Sequence, residues 1–482
     1  MTLSKLLKNT DILSVQGNID VKVSGIAFDS KTVKPGDVFV CIKGFKADGH
    51  DYALNALEKG AVAIVAERSI ADVAATVAIV KDARRALSFM AAEFYCHPYH
   101  KFCLIGITGT NGKTTTTYLV KSILESVGQK VGLIGTNQNM IGDEVIPSHH
   151  TTPDSLELMQ LFDRMAKEGV DTVVMEVSSH SLALDRVGAV EFDVAAFTNV
   201  TQDHLDFHKT MDDYIEAKAK LFEKCKTGTL NFDDGAFSKM AAHADCEIIK
   251  YSTKTKDGLV AENIIYNADG VKFDISYGKE RESVELQIPG KFSVYNALTA
   301  AGCALGAGLT LKQIAKGLRS AKGVKGRIEV VKTNTDYTVI IDYAHTPDGL
   351  LNILNTIRDF AKGRIITLFG CGGDRDKTKR PKMGEIAATL SDFCIITSDN
   401  PRTEDPKAII EDILEGVKKT ECEYLVIENR FEAIEAALDI AKKDDIILLA
   451  GKGHELYQIL SDRTIVFDER EIVLKLIDSA EG

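Results

Sequence analysis

The chain has 482 residues, more than one hydrophobic core serves, so two to four domains are expected. Hydrophobic residues make up 45% and charged residues 27%, the balance of an ordinary globular protein, and a formal net charge of -12 argues against nucleic acid or anionic membrane as the main partner. Met1 opens no secretory leader and no apolar run approaches the ~18 residues of a membrane span, so a cytosolic protein without membrane insertion is expected.

Residues 1–98 carry short elements. Val21 to Phe28 and Asp37 to Ile42 read as strands, and Tyr52 to Lys59 as a helix before the strand Ala61 to Val65. The loops Asp29-Ser30-Lys31 and Gly44 to His50 are polar; such loops either bind a ligand or only turn the chain, and both readings stay open. His97-Pro98-Tyr99-His100 has the composition of a linker.

Phe102 to Ile107 is a continuous apolar run, the pattern of a buried parallel strand. A turn follows, Gly109-Thr110-Asn111-Gly112-Lys113-Thr114-Thr115. Then Thr114 to Val127 reads as a helix with Leu119, Val120, Ile123, Leu124 and Val127 on one stripe. Strand, glycine loop and helix start make a phosphate cradle, in which backbone N–H groups close on phosphate oxygens at a helix N-terminus. Lys113 is placed for the β- and γ-phosphates of ATP and Thr114 for Mg²⁺. The loop is tighter than the strict eight-residue pattern, because Ile107 stands where that pattern has its first glycine.

From about 101 to 325, strand and helix patterns alternate, which predicts a parallel sheet. The strand Asp171 to Glu176 ends in an acid, where a second magnesium contact is needed beside a phosphate loop. After Val194 to Asn199, the run Thr201 to His208 holds Asp203, His204, Asp206 and His208; it is either a metal or phosphate site or a helix cap. On a helix from Asp213 to Lys224, Tyr214, Leu221, Phe222 and Cys225 share a face with Lys218 in its middle, while Glu216, Lys220 and Glu223 point away. An inward lysine snorkels, pairs with an acid, or has its pKa lowered and reacts.

Pro289 to Asn296 opens an alanine- and glycine-rich helix, Ala297 to Gly308, that must pack closely, and Gly326-Arg327 reads as a hinge. Beyond it, four strands end in charged loops. Val339 to Asp342 runs into Tyr343-Ala-His345, and Ile365 to Phe369 into Gly370 to Lys377. Phe393 to Thr397 runs into Ser398 to Arg402, and Ile446 to Ala450 into Gly451 to Glu455. In an open parallel sheet such C-terminal strand ends together form the ligand crevice. The nine cysteines contain no C-x-x-C pair; Cys103, Cys303 and Cys394 read as small core residues, and neither a disulfide framework nor a zinc ribbon is expected.

Taken together, these stretches resemble the Mur ligase family over essentially the whole chain. The resemblance rests on Gly109 to Thr115, Thr151-Thr152-Pro153, Glu176 to His180 with Arg186, Asn199 to His204, Ala217-Lys218, Tyr295-Asn296, Gly326-Arg327, Asp342 to His345, Asp399-Asn400-Pro401-Arg402 and Gly451 to Glu455. It is strongest to the branch that adds the third residue of the peptidoglycan stem peptide.

The resemblance implies an α/β protein of three domains. These are a small α/β domain for the uridine nucleotide (1–98), a central P-loop-type parallel-sheet ATPase domain (99–325) and a C-terminal Rossmann-like α/β domain for the incoming amino acid (326–482). It implies that Ser30 contacts the UDP part of UDP-N-acetylmuramoyl-L-alanyl-D-glutamate and that Thr151, Thr152, Ser178 and Arg186 hold its sugar and peptide. Glu176, His204 and Thr114 would ligate magnesium, and Lys218, carbamylated by CO₂, a second ion. Asn296, Arg327, Asp342 and His345 would lie at the nucleotide. Where some relatives carry a glutamine this chain has Leu184, so no contact is expected there.

The expected reaction is ATP-dependent ligation through an acyl phosphate, in a cytoplasmic monomer acting on small molecules. The expected amino acid is meso-diaminopimelate rather than L-lysine, because the two differ by one distal carboxylate and Arg402 offers it a guanidinium fork. Asp399, Asn400, Pro401, Gly451 and Glu455 would frame that pocket, with Glu455 on the distal ammonium and Arg375 on the α-carboxylate. The alternatives are another diamino acid, a folylpolyglutamate-synthetase-like ligase, or a switch ATPase that makes no bond.

Overall fold

The computed structural model describes residues 1–45, 47–71, 73–148, 150–267 and 269–480. The chain forms two compact units, one of residues 1–259 with 299–314, the other of 260–298 with 315–482.

The first unit holds a five-stranded sheet in the order Ile12–Gln16, Thr76–Val80, Ala63–Ala66, Asp37–Val40, Gly25–Ala27. Only Ile12–Gln16 runs antiparallel to its neighbour. Asp37–Val40 and Ala63–Ala66 are buried along their whole length, as parallel strands covered on both faces must be. The predicted strand over Val21 to Phe28 shortens to Gly25–Ala27. The segment read as a linker, His97 to His100, is ordered. Pro98–Lys101 is one turn of 3-10 helix, and Tyr99, 4% exposed, lies in the same core as Phe102 and Phe162. Burying that ring anchors the segment.

The larger sheet of this unit is built on Cys103–Thr108. Thr172–Glu176 and Phe192–Phe197 flank it in parallel; Val131–Ile134 extends one side, Cys225–Asn231 and then Glu247–Ser252 the other. Parallel strands end together, so Thr108, Glu176 and Phe197 come to one edge, where the phosphate loop leaves the sheet. The helix expected over Asp213 to Lys224 is Met211–Ala219, followed by the 3-10 turn Phe222–Lys224. It starts early because the Thr210 hydroxyl accepts from the Asp213 N–H and caps it. The face assignment holds: Tyr214, Lys218, Leu221 and Phe222 are buried, while Glu216, Lys220 and Glu223 are exposed.

The helix Lys291–Gly306 is long and apolar and starts six residues before the expected Ala297. A Cβ on Gly302 would stand 2.3 Å from the Thr229 methyl, so the sheet face and the helix meet at a distance only glycine allows.

The second unit carries a six-stranded sheet in the order Glu329–Val331, Thr338–Asp342, Ile446–Ala450, Ile365–Phe369, Phe393–Ile396, Glu423–Val426. All but the first pair are parallel. Helices Pro347–Arg358 and Lys379–Leu390 cover one face, and Arg430–Ile440 and Glu469–Ala480 the other. The four charged loops therefore emerge from adjacent strand ends. The unit also holds an antiparallel pair, Gly270–Tyr277 with Glu280–Leu286, inside a stretch read as alternating parallel strands and helices. Gly278, at φ +61°, makes the tight turn between Tyr277 and Glu280. All nine cysteines are free thiols, with Cys303 and Cys394 fully buried and Cys103 partly so. Among the described residues no helix is long and apolar enough to cross a membrane.

Candidate active site

In the first unit the phosphate loop is shaped by two glycines. Gly109 has φ +151°, and a Cβ there would fall 1.8 Å from the Thr198 hydroxyl. Gly112, at φ +84°, is the N-cap of the helix Lys113–Glu125, so the helix N-terminus opens on the loop. Asn199 braces the turn: its Oδ1 accepts from the Asn111 N–H at 3.1 Å and its Nδ2 donates to the Asn111 carbonyl at 3.1 Å. Lys113 Nζ donates to the carbonyls of Gly109 (3.0 Å) and Thr110 (2.9 Å).

Lys218 does not snorkel. It is 1% exposed, its Nζ donates to the Gly109 carbonyl at 2.8 Å, and it lies 4.4 Å from the centre of the Tyr214 ring. Burial, and then the charge of Lys113, push its pKa well below the usual lysine range. Tyr214 was not among the residues expected here, yet its Oη lies 3.1 Å from Thr110 Oγ1, so one ring touches both the loop and the buried lysine.

Glu176, 1% exposed, ends its strand against the same loop. Its Oε1 accepts from Thr114 Oγ1 and from the Thr136 N–H, both at 2.9 Å, and its Oε2 from Thr136 Oγ1 at 3.0 Å. Thr136 in turn meets Thr151 Oγ1 at 3.0 Å. Thr152 Oγ1 donates to the Glu176 carbonyl at 2.9 Å and accepts from the Ser178 N–H at 3.0 Å. Arg186 Nη1 donates to the Thr152 carbonyl at 2.9 Å, with Asp154 3.1 Å from its Nε. The phosphate loop, Glu176, Thr151, Thr152, Ser178 and Arg186 are thus one connected cluster. Thr136 is the member that sequence reading missed.

Ser30 and His204 stand outside this network among the described residues. The Ser30 carbonyl accepts from Lys59 Nζ at 2.7 Å. The Gly44 to His50 loop is partly structural: His50 is buried, its Nδ1 2.6 Å from Asp48 Oδ1, and Lys46 lies outside the described residues. His204 has φ +51° and an exposed side chain whose ring lies 4.8 Å from that of His180. His208 is buried against Ser179 Oγ at 2.9 Å, and burial pushes its pKa down to about 4. The Asp206 side chain lies outside the described residues.

Thr114 and Glu176 offer the hard oxygen donors that Mg²⁺ prefers. Among the described residues no three His, Cys, Asp or Glu side chains gather as a metal site.

The second unit carries two clusters. In the first, the Asp342 carboxyl is buried and accepts from the N–H groups of Ile328 (2.8 Å) and Ala344 (2.9 Å). Burial raises its pKa, and the Arg327 charge opposes the rise. The Arg327 guanidinium lies 5.1 Å from the Tyr343 ring, which also meets the rings of His345 (4.5 Å) and His454 (4.8 Å). Asn296 is buried on its helix.

In the second cluster, Asn400 Nδ2 donates to Glu455 Oε2 at 2.8 Å. Lys452, fully buried between two glycines, donates to the same Oε2 at 3.1 Å and to Asn400 Oδ1 at 3.3 Å. The expectation that Glu455 simply waits for a substrate ammonium needs amendment, because its Oε2 is already held by Lys452 and Asn400. Lys452 itself was missed. Gly451 has φ +115°, and a Cβ there would come 2.9 Å from Asp399 Oδ2. Arg402 has φ +52°, and its Nη1 donates to the Gly373 carbonyl at 2.8 Å. Arg375 is exposed and donates to the Asp374 carbonyl at 3.0 Å.

Three family models match the chain: the Mur ligase family catalytic domain over residues 22–95, the Mur ligase middle domain over 107–304, and the Mur ligase glutamate ligase domain over 326–453. The UDP-N-acetylmuramoyl-L-alanyl-D-glutamate--2,6-diaminopimelate ligase of Caldanaerobacter subterraneus subsp. tengcongensis is 51% identical over 483 residues, covering 100% of both chains. The protein of that name in Clostridium botulinum is 50% identical over 99% of both. A solved structure of a UDP-N-acetylmuramoyl-L-alanyl-D-glutamate--2,6-diaminopimelate ligase superposes with a TM-score of 0.76 at 30% identity, covering 100% of this chain and 99% of that one.

Proposed function

The chain belongs to the Mur ligase family, and from that premise we propose how its residues divide the work of one ligation. The enzyme is an ATP-dependent acid–amino-acid ligase that joins meso-diaminopimelate to UDP-N-acetylmuramoyl-L-alanyl-D-glutamate in peptidoglycan precursor synthesis. Identity near one half over the full length carries this reading. We read domains 1–98, 99–325 and 326–482 as the holders of the uridine nucleotide, the ATP and the amino acid.

A carboxylate is a poor acyl donor because oxide is a bad leaving group. The D-glutamyl γ-carboxylate therefore takes the γ-phosphoryl group of ATP first, giving an acyl phosphate and ADP. Gly109 to Thr115 cradle the phosphates, and Lys113 moves from its backbone carbonyls onto the γ-phosphate. One Mg²⁺ would be held by Thr114, Glu176 and His204 and a second by the Lys218 carbamate, and together they would supply the charge neutralisation that phosphoryl transfer needs. Thr151, Thr152, Ser178 and Arg186 hold the sugar and peptide beside Glu176, and Ser30 the UDP end. Asn296, Arg327, Asp342 and His345 hold the rest of the nucleotide. The free amine of the amino acid, carried by the loops of the second unit, then attacks the carbonyl and phosphate leaves.

ADP release is expected to require both the UDP-dipeptide and the amino acid. Coupled-enzyme detection of ADP, with each substrate omitted in turn, reads this directly. Equal ADP release without the dipeptide would overturn ligation in favour of a switch ATPase.

The distal carboxylate of diaminopimelate meets Arg402, Arg375 takes the α-carboxylate, and Asp399, Asn400, Pro401, Gly451 and Glu455 frame the pocket. A charge-assisted bond contributes about 1.5–3 kcal/mol, so Arg402→Ala should lower kcat/KM for diaminopimelate by about one to two orders of magnitude. L-lysine lacks that carboxylate and should lose little. Measuring kcat/KM for both amino acids on both proteins checks this; an unchanged ratio would remove Arg402 from the selectivity.

A further inference from the structure

We propose that Glu404, held by the buried Arg380, is a positioning residue that sets the spacing between the two arginines of the amino-acid pocket and so helps select a diacid. The inference rests on the reading above, in which Arg375 and Arg402 take the two carboxylates of diaminopimelate.

Those arginines sit on different loops, after the adjacent strands Ile365–Phe369 and Phe393–Ile396. What joins the loops is a dense set of bonds below them. Arg380, on the helix Lys379–Leu390, is 0% exposed. Its Nη2 donates to Glu404 Oε1 at 2.9 Å and to the Gly372 carbonyl at 3.3 Å; its Nη1 donates to Glu404 Oε2 at 3.1 Å. Glu404 Oε1 also accepts from the Asp374 N–H at 2.6 Å, next to Arg375 in the chain. Thr403 Oγ1 donates back to the Asp374 carboxylate at 2.7 Å, and the Gly373 N–H to the Asn400 carbonyl at 2.9 Å. A Cβ on Gly373 would stand 1.9 Å from the Pro401 carbonyl, so the two loops touch backbone to backbone.

The clamp is charge-assisted and bidentate, the geometry in which an arginine–carboxylate pair is most directional. The carboxylates of a bound diamino diacid lie a fixed number of bonds apart. Two cations discriminate by that distance only if their own separation is fixed. Among the described residues Glu404 bonds both Arg380 and the backbone of the Arg375 loop, and Lys377 of that loop lies 3.1 Å from its Oε2. The pKa of Glu404 is held down to about 2, first by Arg380, so the clamp stays charged at every working pH.

Arg380 has a second carboxylate, Asp412, 2.8 Å from Nη1, on the helix Pro406–Val417 and outside both loops. That provides a matched control. Glu404→Gln keeps the shape but weakens the fork; Asp412→Asn removes the other negative charge from the same cation. The measurements are kcat and KM for diaminopimelate, L-lysine, ATP and the UDP-dipeptide, with thermal midpoints alongside. Glu404→Gln should raise KM for diaminopimelate about tenfold, shrink its advantage over L-lysine by a similar factor, and leave the KM values for ATP and the dipeptide in place. Asp412→Asn should lower the midpoint without moving the selectivity. Thr403→Val, exposed and milder, should move selectivity the same way by a smaller factor if Glu404→Gln does not fold. Equal changes in selectivity from Glu404→Gln and Asp412→Asn, or none from Glu404→Gln and Thr403→Val, would overturn the clamp. A wild type that shows no preference for diaminopimelate would instead overturn the pocket reading beneath it.

Discussion

Lys218→Ala is expected to leave about one-hundredth to one-thousandth of the ligase turnover, the scale of losing one preorganised charge-stabilising group. A short carboxylic acid in solution should restore part of it. The reason lies in where the side chain is. A protonated lysine with 1% exposure, near Lys113 and without an acid bonded to it among the described residues, is costly to keep. Burial drives it toward the neutral amine, the form that adds CO₂ and becomes a carboxylate. Two readouts separate this from a packing defect. Mass spectrometry under CO₂ should find the added group on the wild type and not on the variant. Activity should also fall as pH is lowered, because protonation competes with carbamylation. Lys220→Ala, two residues away and exposed, should change little. Full activity in Lys218→Ala would make it an ordinary core lysine.

Lys113→Ala is expected to be at least as damaging, with kcat/KM reduced about a thousandfold or more. In the structure the ammonium rests on two carbonyls of its own loop. Removing it takes the loop's own cation away from the phosphoryl group while leaving the helix N-terminus intact. Nucleotide binding should therefore weaken less than turnover falls. Equilibrium binding of ADP beside steady-state rates checks that split; equal losses in both would assign Lys113 to binding alone.

Much of this site was legible because it follows periodicity. Lys218 stood out since a 100° step puts it among Tyr214, Leu221 and Phe222, and all four are buried. The loop from Gly109 to Thr115 was legible from its flanking strand and helix. Thr136 was not, because it follows a strand and meets Glu176 only through the parallel register of the sheet. Lys452 was not, because a lysine between two glycines carries no periodic mark and its burial is set by Asn400 and Glu455. The order of the segment His97 to His100 was hidden for the same reason: its composition is that of a turn, and the burial of Tyr99 is tertiary. The antiparallel pair beginning at Gly270 did carry a local signal, since Val271, Phe273 and Ile275 alternate with polar residues, but a single alternating run does not choose its partner strand.

The close contact between Gly302 and Thr229 bears on how the chain is made. Residues 299–314 belong to the first unit, although they are separated from its other residues by a stretch of the second. A ribosome releases the strand Cys225–Asn231 long before the helix Lys291–Gly306 that covers it. At roughly 5–20 residues per second the growing chain spends several seconds with that sheet face bare. A fragment ending at 259 would keep it bare for good, so the first unit is complete only once the chain has passed residue 314.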